Sequence, residues 1–159
     1  MRLQPCSIAR LFLIIAALAV HSESASAQAS TNVGARLGYN FHSDDAVLGL
    51  NLTVPISTRI EFYPSIDLYI PDSGNQVGFN GDVKVLLPVR FGASMYGGGG
   101  IGLVNRNAGE FANTDVGVNL LFGIESLVGW IHPFGEVRWM IYDDPQLALF
   151  AGVNFRFGR

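Results

Sequence analysis

The sequence predicts an all-β protein: an eight-stranded antiparallel up-and-down transmembrane β-barrel. Two observations carry that expectation. Apolar residues alternate with polar or small ones from Asn32 to Phe157, the period of a strand with two unlike faces. Charged residues are only 14% of the 159 positions while hydrophobic ones are 49%, against about 25% charge in an ordinary soluble domain. A mean hydropathy of +0.31 excludes intrinsic disorder. The 19 glycines follow no G-X-Y repeat, which excludes collagen. No run after Val20 reaches the roughly 18 unbroken apolar residues of a membrane helix.

Residues 1–27 read as a secretory signal peptide, with Arg2 and Arg10 ahead of the apolar run Leu11–Val20 and Ala25-Ser26-Ala27 as the small-x-small cleavage site near Ala27. The run is too short to span a bilayer. Cys6 precedes it, so it is not the acylation cysteine of a lipoprotein, and the remaining 28–159 contain no cysteine. Without Arg2, Arg10 and Glu23 the chain keeps 8 of its 10 basic and 12 of its 13 acidic residues, a charge of −4. That acidity argues against a nucleic-acid partner. Residues 28–159 read as one barrel domain.

Eight strands follow in order. The first, 32–41, puts Val33, Ala35, Leu37, Tyr39 and Phe41 on one face and Gly34, Arg36, Gly38 and Asn40 on the other. The second, 46–56, sets Leu48, Leu50, Leu52, Val54 and Ile56 against Gly49, Asn51 and Thr53. The third, 58–70, opposes Ile60, Phe62, Ile66, Leu68 and Ile70 to Arg59, Glu61, Tyr63, Ser65, Asp67 and Tyr69. The fourth, 77–87, opposes Phe79, Val83, Val85 and Leu87 to Asn80, Asp82 and Lys84. The fifth, 91–103, carries Met95, Ile101 and Leu103 but is diluted by Gly97–Gly100. The sixth, 115–125, opposes Val116, Val118, Leu120, Phe122 and Ile124 to Asp115, Asn119 and Glu125. The seventh, 130–141, opposes Val137, Trp139 and Ile141 to Glu136 and Arg138. The eighth, 147–157, opposes Leu147, Leu149, Val153, Phe155 and Phe157 to Gly152, Asn154 and Arg156.

The connections alternate in character. Those at 57–58, 88–90 and 126–129 read as tight turns, and those at 42–45, 71–76, 105–114 and 143–145 as polar loops. Strands near 11 residues with tight turns at one end and polar loops at the other are the pattern of a membrane barrel. Lipid offers backbone groups no hydrogen bonds, so a sheet within it must close on itself.

A soluble ligand-binding barrel shares the period but points its apolar stripe inward. Its exterior would carry about 25–35% charge, and the polar stripes here are instead rich in glycine (Gly34, Gly38, Gly49, Gly98, Gly100, Gly102, Gly117, Gly123 and Gly152). The apolar stripes bear no charge on any strand, as they must where one lipid-facing Arg or Lys costs about 2–4 kcal/mol. The polar faces therefore point inward. Arg36, Arg59, Lys84, Arg138 and Arg156 then meet Glu61, Asp67, Asp82, Asp115, Glu125 and Glu136 in a confined interior, where unpaired charge is costly. These eleven residues are expected to form a paired charge network.

At this point the chain resembles the small eight-stranded outer-membrane β-barrels of Gram-negative bacteria, of the OmpA and opacity-protein type. The most specific element is the last strand, where Gly152, Phe155 and Phe157 match the family's assembly signal. Phe150 stands where that signal has a polar residue, and Gly158-Arg159 follow the usually terminal aromatic. The resemblance implies termini in the periplasm, polar loops outside, and no peptidoglycan-binding domain after the barrel. It implies outer-membrane lipids and lipopolysaccharide as surroundings, and delivery by periplasmic chaperones to the barrel-assembly machinery.

Other chemistry is faint. Gly97–Gly102 contains G-x-G-x-x-G but lies in a strand with no following helix, so it lacks the context for a nucleotide. Its glycines are expected to make room for inward Tyr63, Tyr69 or Tyr96. His42-Ser43-Asp44-Asp45 is an enzyme-like cluster whose contiguous side chains point apart. Asp143 and Asp144 stand at the same rim, and His132 at the opposite one. Phe62, Trp130, Trp139, Tyr142, Phe155 and Phe157 read as interfacial girdles. No catalytic, cofactor or metal site is expected. The leading function is a structural or surface-interaction role in the outer membrane. A narrow channel, a lipid A-modifying enzyme and a soluble secreted barrel are the alternatives, and the oligomeric state is open.

Overall fold

The computed structural model of the protein describes residues 30–71, 74–88, 92–108 and 111–157. The signal peptide and its cleavage site lie outside the described residues. The eight strands are β1 (Thr31–Asn40), β2 (Asp45–Pro55), β3 (Ile60–Ile70), β4 (Asn75–Pro88), β5 (Ala93–Ala108), β6 (Phe111–Ser126), β7 (Ile131–Ile141) and β8 (Gln146–Phe157). Neighbours in sequence are neighbours in the sheet, every pair is antiparallel, and β8 closes on β1. Thr31 pairs with Phe157, so both ends of the barrel wall's chain lie at one end of the barrel, here the terminal end. The loops after β1, β3, β5 and β7 lie at the far end.

Burial is inverted relative to a soluble domain. Leu37 and Leu50 are each 63% exposed, and the rest of the apolar stripe also faces outward. Arg36, Asp67, Asp82, Lys84, Glu136 and Arg138 are buried. The aromatic rims are as the sequence indicates for Trp130, which stacks near Phe155 with ring centroids 5.9 Å apart, and for outward Trp139. Tyr142 is a correction. It is buried and points inward, over Gly102 and Gly117, because the period-two alternation of the strand carries one residue past Ile141.

Strand boundaries also differ. Residues 105–108 and 111–114, expected in a loop, are strand: Asn105 pairs with Thr114 and Asn107 with Ala112. Polarity on both faces marks a strand that has left its apolar surroundings as readily as it marks a loop. The stretch expected as a loop at 71–76 is also shorter, since β4 begins at Asn75. The third strand begins at Ile60, not Thr58. The Ser57 Oγ accepts from the Arg59 and Ile60 backbone N–H groups, and this side-chain cap closes the turn.

The glycines of β5 set how tightly the wall curves. A Cβ on Gly98 would strike the Val83 carbonyl, and one on Gly100 would strike the Gly81 carbonyl and lie 2.6 Å from the Asp82 Cα. Both obstacles are backbone of β4, which cannot rotate away. Gly100→Ala should therefore cost about 1–3 kcal/mol through overpacking. Refolding into detergent, followed by heat-modifiable gel migration, should show a reduced folded fraction. Gly81→Ala is the control, since its Cβ meets nothing within 4 Å. Equal folding of the two variants would show that the glycines of β5 do not constrain the wall.

Candidate functional site

Because the side chains of a strand alternate, each strand delivers every second residue to the interior, and the residues there form three layers. The far layer is apolar: Val47, Tyr69, Val104, Met140, Tyr142, Ala148 and Phe150 form one buried cluster. The Tyr69 hydroxyl lies 3.4 Å from the Met140 sulfur. Above this cluster Asn40 donates to Gln146 at 2.8 Å.

The middle layer is ionic. Arg36 of β1 reaches across β2 to Asp67 of β3, with Nε and Nη2 donating to the carboxylate at 3.0, 2.8 and 2.7 Å. Gly49 of β2 lies beneath that reach, and a Cβ there would meet the Arg36 side chain. The same guanidinium donates to Ser65 at 2.8 Å, to Tyr63 at 3.2 Å and to Glu136 at 3.4 Å. Its carbon sits 4.4 Å from the Phe150 ring centroid, which joins this layer to the apolar one. Arg138 of β7 lies 3.0 Å from Glu136 and 3.0 Å from Asp82 of β4. Neutral donors complete the carboxylates: Asn80 to Asp67 at 2.8 Å, Asn119 to Asp82 at 3.0 Å and Tyr96 to Glu136 at 3.0 Å. Both arginines are thus shared between two acids, an arrangement that offsets the cost of burying charge.

The third layer lies toward the terminal end. Lys84 Nζ stands 3.8 Å from Glu61 and 3.9 Å from Glu125, with no hydrogen bond among the described residues. It lies instead over the rings of Tyr63 at 3.8 Å and Tyr96 at 4.4 Å, within the range of a cation–π contact. Glu125 also accepts from Asn154 at 2.8 Å and lies 3.5 Å from His132. Asn51 donates to Asn154 at 2.7 Å.

Eight of the eleven residues expected in the network are therefore brought together: Arg36, Glu61, Asp67, Asp82, Lys84, Glu125, Glu136 and Arg138. Three are not. Arg59 is exposed in the turn before β3, because that strand starts one residue later. Arg156 is exposed at the terminal rim and donates to Ser30. Asp115 is half-buried at the far rim, paired with Arg106 at 2.6 Å. These eight residues comprise three cations and five carboxylates, and Asp45 is buried as well, so the near balance of signs expected from sequence does not hold inside. The difference is met by neutral donors, Asn80, Asn119, Asn154 and Tyr96, which the sequence reading left out of the network although three are polar residues of the inward stripe.

The remaining candidates are placed as follows. His132 stands at the start of β7, at the terminal rim as expected, with its ring turned inward: it is buried and its Nε2 lies 3.2 Å from the Gly129 carbonyl. In the first far-end turn, Asn40 Oδ1 accepts from the His42 backbone N–H and the Tyr39 hydroxyl donates to Asp44. No hydrogen bond joins Ser43 to His42 among the described residues. Asp143 and Asp144 are exposed. Gly152 packs against Phe134 of β7, where a Cβ would come within 2.6 Å of the ring. Phe155 faces outward beside Trp130, and Phe157 ends β8 in backbone pairing with Thr31. No group of three or more His, Cys, Asp or Glu among the described residues is placed to hold a metal ion. A depression of about 740 Å³ lies on the outer face, where small Ala35 and Ala151 sit between Leu37, Leu48 and Leu50. It opens away from the charged interior.

No family model matches the chain, and no curated protein matches it. Solved structures match its fold. The N-terminal β-barrel domain of Pseudomonas aeruginosa OprF superposes with a TM-score of 0.67 at 14% identity, over 82% of this chain and 98% of that one. Neisserial surface protein A gives 0.56 at 11% identity, over 80% and 95%. Ail of Yersinia pestis, in complex with the heparin analogue sucrose octasulfate, gives 0.58 at 11% identity, over 81% and 97%. The chain has the fold of the small eight-stranded outer-membrane barrels.

Proposed function

We propose that the protein is an integral outer-membrane β-barrel with a structural or surface-interaction role, its interior closed by paired charges. The observation that carries this reading is the inverted burial: a charge-free apolar belt outside and an ionic layer within. That pattern suits a lipid surround and is opposed by water, and the fold shared with OprF, NspA and Ail supports the outer membrane as its place. The terminal end then faces the periplasm and the far end faces outward. Outer-membrane lipids and lipopolysaccharide surround the belt. Gly152, Phe155 and Phe157 present the last strand to the assembly machinery after delivery by chaperones.

The apolar cluster above Arg36 and Arg138 supports a closed interior over a narrow channel, since an ion would cross Phe150 and Met140 without hydration. Ail is solved with a polyanion, whereas the exposed Asp44, Asp143 and Asp144 at this far end would repel one. Fractionation tests the reading. The protein, expressed at native level, should remain with outer membranes through carbonate extraction, and purified barrels in planar bilayers should pass little or no steady current. Recovery in the soluble periplasmic fraction would overturn the location, and a stable ion-selective current would overturn the closed interior.

A further inference from the structure

We infer that the unpaired edge of β6 at the far end, with Asp143 and Asp144 beside it, receives a basic extended polypeptide segment as an added strand. The inference deepens the surface-interaction reading and rests on it only for which side of the membrane this end faces.

The edge follows from register. The pairing of β6 with β7 begins at Val118 opposite Ile141. Before that, from Phe111 to Gly117, β6 pairs with β5 alone. Other far-end seams leave little overhang: Asn40 pairs with Asp45, Asn40 with Ala148 near the start of β8, and Asn75 with Asn107 near the end of β5. One side of the β6 backbone is therefore left without a ladder, a template for another strand.

The outward side chains show where this edge stands. Ile101, Leu103, Val116 and Val118 are apolar and exposed. The next outward pair is Asn105 and Thr114, joined by a 2.9 Å hydrogen bond. The apolar belt ends between these two levels, so the edge beyond Val116 meets water and not lipid. Free N–H and C=O groups are tolerable there and within reach of a partner.

Natural edges are blunted by proline, by lysine or by a bulge. Phe111-Ala112-Asn113-Thr114-Asp115 contains neither proline nor lysine, and it pairs with β5 residue for residue without a bulge. Its one charge, Asp115, is held by Arg106.

Charge selects the occupant. Asp143 and Asp144 are exposed and follow Tyr142 after β7, in the stretch of chain that would have covered the edge had β7 continued. Asp44 is exposed in another loop of the same end, and Arg106 is engaged by Asp115. A segment rich in Lys or Arg therefore gains both ladder hydrogen bonds and charge complementarity. A second copy in the same membrane fits poorly. A two-fold axis along the membrane normal tilts two copies of β6 in opposite senses, so their edges cross instead of pairing.

The test uses the folded barrel in detergent micelles, with folding verified by heat-modifiable migration. The probe is a fluorescent decapeptide alternating Lys and Thr, read by anisotropy. It should bind at least about tenfold tighter than a peptide of equal charge with proline at the Thr positions, because only the first can form a ladder. Asp143→Asn with Asp144→Asn should weaken binding several-fold while leaving the fold intact. Asn113→Pro and Thr114→Pro, made singly, test the edge itself, since adjacent residues of an antiparallel strand aim their N–H groups to opposite sides. The variant whose N–H faces the gap should lose binding and stay folded. Equal binding of the two peptides, or binding of neither, would overturn the inference, as would a concentration-dependent dimer that protects amides 112–116 without peptide. These outcomes are read on folded barrels in micelles, so they are separate from the fractionation result that tests the location.

Discussion

Arg138→Ala should cost about 3–5 kcal/mol of stability, the usual penalty for removing one partner of a buried ion pair. The side chain is fully buried and lies 3.0 Å from both Asp82 and Glu136. Its removal leaves the two acids in unequal positions. Glu136 keeps Arg36 at 3.4 Å and the Tyr96 hydroxyl at 3.0 Å. Asp82 keeps, among the described residues, the Asn119 amide at 3.0 Å, a neutral donor for a buried charge. The loss should appear as a lower urea midpoint and as less heat-modifiable, folded protein in detergent gels. Arg138→Met with Asp82→Asn should recover much of it, because a neutral pair of similar volume strands no charge. Should Arg138→Ala instead leave the urea midpoint unchanged and open a steady current in planar bilayers, the arginine lines a conduit and does not brace the wall.

Most of the barrel was legible because its cause is local. Period-two alternation states, residue by residue, which side chains face lipid, and the eight strands follow from it. The same alternation assigned Arg36, Asp67, Asp82, Glu136 and Arg138 to the interior. What it cannot state is where a strand stops. Arg59 has inward parity but belongs to a turn that the Ser57 hydroxyl closes. Tyr142 has inward parity too, yet it follows the end of its strand, where an aromatic residue equally suits an interfacial rim. Asn105–Thr114 looked like a loop because a strand above the apolar belt loses its apolar stripe.

Pairing across the interior was less legible, because it depends on register between strands far apart in sequence. Arg36 and Glu136 are 100 residues apart, and no local pattern places them in one layer. Lys84 between Glu61 and Glu125, and Asn154 beside Glu125, are of the same kind. The glycines of Gly97–Gly102 are a correction: Cβ atoms on Gly98 and Gly100 would meet the β4 backbone and one on Gly102 the Tyr142 hydroxyl, not Tyr63, Tyr69 or Tyr96, and the glycine that faces the Tyr96 ring is Gly123 of β6.

Leu120→Arg should prevent stable assembly, at a cost of about 2–4 kcal/mol for a cation near the middle of the lipid belt. Leu120 is 48% exposed and sits midway along β6, paired with Gly99 on one side and Trp139 on the other. Leu50 on the opposite wall, at 63% exposure, should respond in the same way. The experiment asks what lies against the exposed stripe. With water against this same barrel Leu120 would be a surface leucine, and arginine there would fall within about 0.5 kcal/mol of neutral. In a membrane barrel the same arginine must drag water or headgroups into hydrocarbon. Ser43→Arg controls for added charge alone, since Ser43 is exposed in the far-end turn beyond the belt. Outer-membrane yield and refolding into phospholipid vesicles are the measurements. Leu120→Arg should fail in both where Ser43→Arg succeeds, and the penalty should shrink for outward residues nearer either rim, as with Thr114→Arg. A Leu120→Arg variant that refolds as well as Ser43→Arg would mean that water, and not lipid, lies against the apolar stripe.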